Sequence, residues 1–174
     1  MPTIQAICFD FGDTLADEAT EIKDETETTL HAELIPGAAE LLHTLKQRGY
    51  RLALVADGRP GTYPNVLGHY GLYHLFEAVA ISDEVGVCKP DPRMFTHALD
   101  QLGISEADYG STVMVGNFLE RDIAGANALG MISVWIDWAP RRPKQPANDC
   151  EVPDYTIRMP LDLLMVIEQI EASK

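Results

Sequence analysis

The stretch that decides the fold is residues 4–15, IQAICFDFGDTL, in which an apolar run is followed by two carboxylates and a glycine. Residues 4–9 are nearly all apolar, as in a strand that protein covers on both faces. Asp10 stands where this strand should end, and Gly12 allows a sharp backbone turn after it. We therefore predict a buried strand with a carboxylate at its carboxyl end.

Further apolar runs alternate with segments of helical periodicity along the rest of the chain. The other predicted strands are 52–55, 78–81, 112–115 and 132–136, with a weaker one at 155–157. The predicted helices are 38–46, 92–102, 119–129 and 161–170. Crossovers of this length are typical of parallel strands with helices on both faces. The sequence thus predicts an α/β protein with a three-layer α/β/α, doubly wound, Rossmann-like parallel sheet.

Composition narrows the class of protein. The 174 residues include 27 acidic and 13 basic side chains, a formal net charge of −14. This charge argues against a nucleic-acid-binding protein and against docking on a membrane of anionic lipid. No apolar run approaches the ~20 residues of a membrane span. Three widely spaced cysteines without a CxxC pair are typical of reduced thiols, so we expect a cytoplasmic protein. The length favours one domain over residues 1–174.

Two segments differ in composition from the rest. Residues 17–35 hold seven acids and one lysine, which predicts either a solvated loop or a short acidic flap over a site. Residues 139–153 hold four prolines and the basic cluster Arg141, Arg142 and Lys144, which predicts a Pro-rich surface connector. Because it is the main basic cluster of an acidic chain, it is also a candidate contact for an anionic substrate or a partner.

Chemically useful residues follow the predicted strands. In a doubly wound sheet, ligands bind beyond the carboxyl ends of the strands, near the point where strand order reverses. The residues expected there are Asp10 and Gly12, Asp57 and Gly58, Lys89, and Asn117 with Asp122. Carboxylate, amide and carbonyl oxygens suit Mg²⁺. A carboxylate at a strand end can act as a nucleophile if its charge is countered, and Lys89 supplies the counter-charge.

Three groups of residues resemble motifs I, III and IV of the haloacid dehalogenase-like (HAD) hydrolase superfamily. They are Asp10–Leu15 (DFGDTL), Lys89–Pro92 (KPDP) and Val115–Ile123 (VGNFLERDI), and residues 36–42 and 125–131 are similar to flanking segments of the same family. The likeness spans roughly residues 4–137. Each motif alone is weakly specific, whereas together, in this order and after these strands, they are highly specific. The resemblance implies a HAD-like core with a minimal cap and no separate cap domain.

The resemblance also implies roles for particular residues. Asp10 would be the nucleophile, forming an aspartyl-phosphate that water then hydrolyses, and Lys89 would neutralise the nucleophile and the phosphoryl group. Mg²⁺ would be held by Asp10, the carbonyl of Gly12 and the motif IV residues Asn117 and Asp122. Asp57 and Gly58 remain at the motif II position as substrate-binding residues.

Three positions depart from the family pattern. Phosphatases of this family usually carry Asp at the position of Gly12, where it acts as a general acid and base. The adjacent Asp13 could replace it only if the turn were rearranged, because in the usual geometry that neighbour points elsewhere. Ala56 lacks the usual hydroxyl of motif II, and Asn117 replaces an Asp, which should weaken metal binding. The chain thus keeps the scaffold of the family but lacks side chains that usually act on the phosphoryl group.

Three functions remain open at this stage. The first is a Mg²⁺-dependent phosphatase, slow where the missing acid matters, acting on a small phosphorylated metabolite or a phosphoprotein, with a homodimer mate as one way to close an open site. The second is a catalytically impaired HAD-like pseudoenzyme that works as a binding or scaffold protein. The third, a metal-independent dehalogenase, is disfavoured because neither gap between the motifs holds the helical cap of those enzymes.

Overall fold

The computed structural model describes residues 3–173, so residues 1, 2 and 174 of the domain predicted over 1–174 lie outside the described residues. The strands are β1 (Ala6–Phe9), β2 (Ile22–Lys23), β3 (Thr29–His31), β4 (Leu52–Ala56), β5 (Ala78–Ile81), β6 (Thr112–Gly116), β7 (Ile132–Ile136) and β8 (Tyr155–Ile157). The α-helices are α1 (Ala38–Gln47), α2 (Thr62–His69), α3 (Ser82–Val85), α4 (Pro92–Gln101), α5 (Ala124–Ala128) and α6 (Leu163–Ala172).

Six of these strands form one parallel sheet in the order β5-β4-β1-β6-β7-β8. The chain winds outward from β1 to β5 on one side and then from β6 to β8 on the other. The strand order therefore reverses at β1, and the crevice beyond its carboxyl end is the expected ligand site. The doubly wound parallel sheet predicted from the apolar runs is confirmed.

The side chains of β1 show how the helices divide between the two faces of the sheet. Ile7 and Phe9 belong to a core cluster that includes buried residues of α1, α2 and α6. Ala6 and Cys8 point to the opposite face and belong to a second cluster, with buried residues of α4 and α5. All four side chains are fully buried. Helices therefore cover both faces, as the near-continuous apolar run predicted, and the architecture has three layers.

The helix predicted over 119–129 differs from the observed structure. The chain first makes a π-helical turn, Leu119–Ile123, and only then enters α5. Inside the wider turn, the Asp122 side chain points inward, where its Oδ2 accepts a hydrogen bond from the backbone N–H of Phe118 at 2.9 Å. Turns of this kind interrupt α-helices frequently at functional sites. Here the turn directs a carboxylate toward the carboxyl end of β1.

The acidic segment predicted over 17–35 contains an ordered hairpin. Strands β2 and β3 pair antiparallel, and the hairpin is attached to α2 by hydrogen bonds. The backbone N–H of Thr29 donates to Thr62 Oγ1 at 3.0 Å, and Asn65 Nδ2 donates to the carbonyl of Thr29 at 3.1 Å. Tyr70 OH donates to the carbonyl of Ala32 at 3.1 Å. The hairpin therefore has a fixed position beside the sheet edge, and we call residues 17–35 the flap.

None of the helices within residues 3–173 is both long enough and apolar enough to cross a lipid bilayer.

Candidate active site

A cavity of about 480 Å³ opens beyond the carboxyl ends of β1 and β4. Its floor includes Asp10, Gly12 and Lys89, and the flap forms part of its wall. The predicted Asp57 and Gly58 line it as well. Five of the strand-end residues that the sequence singled out thus line one cavity at one edge of the sheet, whereas Asn117 and Asp122 are buried outside its lining.

Lys89 contacts two buried carboxylates of this site. Its side chain is only 2% exposed, and its Nζ donates to Asp10 Oδ1 and to the Val55 carbonyl, both at 2.8 Å. Asp122 Oδ1 lies 2.7 Å from the same nitrogen. Burial by itself lowers the pKa of Lys89, but the carboxylates of Asp10 and Asp122 outweigh burial, and the net pKa is raised. Lys89 is therefore a fixed ammonium group between two carboxylates.

Asp122 is fully buried behind Lys89. Burial, together with the nearby Asp10 carboxylate, raises the pKa of Asp122 to about 7, although Lys89 and the N–H of Phe118 act in the opposite direction. Gly116 makes room for this side chain, because a Cβ on Gly116 would lie 2.3–2.4 Å from atoms of Asp122. The glycine at the end of β6 is therefore required by the position of the carboxylate.

Three of the four residues predicted to hold Mg²⁺, Asp10, Gly12 and Asn117, meet at the Asn117 side chain, whereas the fourth, Asp122, contacts Lys89. One end of its amide lies 2.6 Å from Asp10 Oδ2 and 3.2 Å from the Gly12 carbonyl oxygen, and the other end lies 3.2 Å from Arg142 Nε. With Nδ2 at the first end, the amide donates to both oxygens and accepts from Arg142. With Oδ1 there, three oxygens converge at spacings similar to the ~3 Å between neighbouring ligands of an octahedral Mg²⁺.

These residues therefore fit Mg²⁺ when Asn117 Oδ1 points toward Asp10. When Nδ2 points there, they form hydrogen bonds with one another instead. Within residues 3–173, no three His, Cys, Asp or Glu side chains group as a metal site. A cation at this point would depend on the carbonyl and the amide as well as on Asp10. Its binding would also place Asn117 Nδ2 against the Arg142 guanidinium, so cation binding must displace that contact.

Asp13 does not face the cavity. Its side chain is fully buried, with a positive φ of 54°, a conformation that Asp tolerates better than most residues. Its Oδ2 accepts from Arg141 Nη2 at 2.5 Å and from Arg142 Nε and Nη2 at 3.1 and 2.9 Å. Two guanidinium groups thus hold this carboxylate in place. The basic cluster of residues 139–153 neutralises the chain's own acids.

Glu18 is the residue that sequence reasoning missed. Its Oε2 lies 3.3 Å from the position that a Cβ on Gly12 would occupy, and it pairs with Arg142. Burial raises the pKa of the Glu18 carboxyl, Arg142 opposes that rise, and the carboxylate of Asp13 adds to it. In the sequence, Glu18 is one of seven acids in the flap, and nothing in the spacing separates it from the others.

Asp57 and Gly58 hold neighbouring segments together. Asp57 Oδ1 accepts from the backbone N–H of Lys89 at 3.0 Å, and the N–H of Gly58 donates to Ser82 Oγ at 2.8 Å. Arg121 lies 3.8 Å from Asp57 Oδ2. The motif II position thus fixes the backbone of Lys89 and the end of β5. Contact with substrate at these two residues stays a prediction.

Comparison with known proteins assigns the chain to a family. Residues 18–130, more than half of the chain, match the family model of haloacid dehalogenase-like hydrolases. The chain belongs to this family. Asp10 precedes the matched stretch, so its place in this HAD-like hydrolase rests on its position after β1 and on its contact with Lys89.

Curated relatives of this HAD-like hydrolase include phosphatases. A glyceraldehyde 3-phosphate phosphatase of Methanopyrus kandleri is 36% identical over 135 residues, covering 78% of this chain and 57% of the relative. A phosphoserine phosphatase of Thermus thermophilus is 39% identical over 113 residues, covering 65% of this chain and 44% of the relative. The chain thus spans about half the length of the curated relatives it matches.

A solved structure shows the same fold. The HAD phosphatase of Thermococcus onnurineus superposes with a TM-score of 0.76 at 21% identity, covering 94% of this chain and 97% of that one.

A Gly116→Ala substitution tests the glycine at the end of β6 in this HAD-like hydrolase. The added methyl group must displace Asp122, so we expect the free energy of unfolding to fall by about 1–3 kcal/mol. The matched control is Gly68→Ala, because a Cβ on this exposed glycine of α2 would meet nothing within 4 Å. There we expect a gain of roughly 0.5–1 kcal/mol. Urea denaturation measures both, and equal effects would contradict the assignment.

Proposed function

We propose that this HAD-like hydrolase is a phosphatase that acts through a phosphoryl group carried on Asp10. The observation that supports this most is the pairing of Asp10 with Lys89 on the floor of the cavity, at 2.8 Å and with both groups largely buried. A charge-assisted hydrogen bond of this kind holds the carboxylate in a fixed orientation. Lys89 also lines the cavity, so its positive charge can stabilise negative charge on phosphoryl oxygens in the transition state.

In this proposal the chain's own residues perform the following steps. The Asp10 carboxylate attacks phosphorus, the bond from phosphorus to the leaving oxygen breaks, and Lys89 stays protonated throughout. Water then attacks the aspartyl-phosphate, which releases inorganic phosphate and regenerates Asp10. Mg²⁺, held by Asp10, the Gly12 carbonyl and Asn117 with Asp122 nearby, would neutralise charge on the phosphoryl group when bound.

The proposed substrate is a small phosphorylated metabolite, or alternatively a phosphoprotein side chain. The names of the Methanopyrus and Thermus relatives refer to small phosphate esters of this kind, and a cavity of about 480 Å³ can hold one. We further propose that the chain acts as one core domain, with the flap as its minimal cap and with a cytoplasmic location. The three free cysteines are consistent with that location.

The test measures turnover and the covalent intermediate together. The purified chain is incubated with 4-nitrophenyl phosphate and with acetyl phosphate, with and without Mg²⁺, and then quenched in acid for peptide mapping. We expect release of inorganic phosphate with Mg²⁺, and a phosphoryl group on the peptide that contains Asp10. No turnover of either compound, combined with a raised melting temperature in vanadate, would overturn the proposal and support the pseudoenzyme instead.

A further inference from the structure

Glu18 fills the space that the glycine at position 12 leaves. A Cβ built on Gly12 would lie 3.3 Å from Glu18 Oε2, 3.6 Å from its Cδ and 3.7 Å from its Cγ. A side chain on residue 12 would therefore project onto the carboxyl group of Glu18. The flap thus brings a carboxyl group, from six residues further along the chain, to the place where a side chain at position 12 would lie.

We propose that Glu18 is the general acid and base of this site, in place of a side chain at position 12. This inference rests on the proposed phosphatase function. As the bond between phosphorus and the leaving oxygen breaks, the Glu18 carboxylic acid gives its proton to that oxygen. In the second half, the Glu18 carboxylate takes a proton from the attacking water as the oxygen–phosphorus bond to Asp10 breaks. Both side chains are then restored.

The position of Glu18 satisfies the geometric needs of that role. Its side chain is 39% exposed and lines the same cavity as Asp10 and Lys89, so a bound substrate can reach it. Its backbone N–H donates to Asp13 Oδ1 at 3.1 Å, which ties the start of the flap to the turn after β1. A proton donor needs both access and a fixed position.

Arg142 orients the carboxyl group of Glu18. Its guanidinium carbon lies 4.4 Å from the centre of the Phe118 ring, and it pairs with Asp13 as well as with Glu18. Arg142 Nε and Nη2 both donate to the fully buried Asp13 carboxylate, so Glu18 shares this arginine with another acid. The guanidinium thus orients the Glu18 carboxyl group while it also pairs with Asp13.

The experiment compares leaving groups. Alkyl phosphates, here phosphoserine and glycerol 3-phosphate, need a proton on the departing oxygen, whereas 4-nitrophenolate departs without one. We expect Glu18→Gln to lower kcat for the alkyl phosphates by about 10²–10⁴-fold and kcat for 4-nitrophenyl phosphate much less. Glu33→Gln, a substitution on the exposed part of the flap, is the matched control and should leave both rates unchanged.

A second pair of variants distinguishes a catalytic role of Glu18 from a folding defect caused by its substitution. Glu18→Ala should lose alkyl phosphatase activity, and adding Gly12→Asp in that background should restore it at least 10-fold, because the removed side chain leaves room for an aspartate. If the wild type cleaves 4-nitrophenyl phosphate but Glu18→Gln lowers kcat equally for alkyl and aryl phosphates, the inference about Glu18 is overturned while the proposed function stands. So would a wild type that cleaves aryl but not alkyl phosphates. A wild type inactive on every phosphate would instead overturn the proposed function and this inference with it.

Discussion

Asp10→Asn is expected to lower kcat for aryl phosphates by about 10⁴-fold or more, the scale of loss when a nucleophile is removed. An amide is a far weaker nucleophile than a carboxylate, and no phosphoryl group should then be recovered on the peptide that contains residue 10. The amide oxygen can still accept from Lys89, which also keeps its contact with Asp122. We therefore expect the fold to survive, with a thermal unfolding transition close to that of the wild type.

Asp100→Asn is the matched control for this prediction, because Asp100 lies exposed on α4 and does not line the cavity. It should turn over as fast as the wild type. If Asp10→Asn kept more than a tenth of the wild-type kcat in the same 4-nitrophenyl phosphate assay, the nucleophile would have to lie elsewhere.

Lys89→Met should damage both activity and stability. Removing the ammonium leaves Asp10 and the fully buried Asp122 facing each other without a counter-charge. Breaking a buried ion pair from one side typically costs about 3–5 kcal/mol, so we expect the free energy of unfolding at pH 7 to fall by about that much. Loss of transition-state charge stabilisation should lower kcat by about 10²–10³-fold.

The expected loss of unfolding free energy for Lys89→Met depends on pH. The folded-state pKa of Lys89 is raised above its unfolded value, which is near 10.4. Its stabilising contribution is therefore complete below that unfolded value and is lost only as pH rises through the folded pKa. Measurement at pH 7 captures the whole effect.

Lys46→Met provides the comparison for Lys89→Met. Lys46 pairs with Glu77 at 2.6 Å, but both side chains are partly exposed, and such surface pairs contribute about 1 kcal/mol or less. Urea denaturation of the two variants should separate a buried ion pair from an exposed one. Equal losses of stability would mean that Lys89 is not the counter-charge of the site.

The sheet could be predicted from sequence because its strands are buried on both faces and therefore appear as continuous apolar runs. Helix α2 could not, because its sequence TYPNVLGH carries Pro64 and Gly68, which are poor helix formers. The structure accommodates Pro64 as the third residue of α2, where a backbone N–H has no partner within the helix. The π-helical turn before α5 was also missed, since nothing in the helical periodicity of residues 119–129 indicates that Asp122 accepts from the N–H of Phe118.

Within the site, the sequence placed Asp10 and Lys89 at the same edge of the sheet, because both follow the carboxyl ends of parallel strands. Their direct contact came from the family resemblance and not from strand pairing, since β4 lies between β1 and β5. The arginine contacts did not follow. Arg141 and Arg142 lie 128 and 129 residues from Asp13 along the chain, and no local pattern connects them. Glu18 was hidden for a related reason, because its approach to residue 12 depends on the missing side chain of Gly12 and not on a motif.

The long separation between Asp13 and its arginines also orders events during synthesis. Ribosomes make the amino-terminal end first, so β1 and the turn that follows it emerge long before Arg141 and Arg142. Until those two cations arrive, the Asp13 carboxylate keeps its hydrogen bond from the N–H of Glu18 but lacks the two guanidinium groups that balance its charge. A nascent polypeptide can therefore form much of the sheet while the turn behind Asp10 is still unfinished, and synthesis of Arg141 and Arg142 completes it.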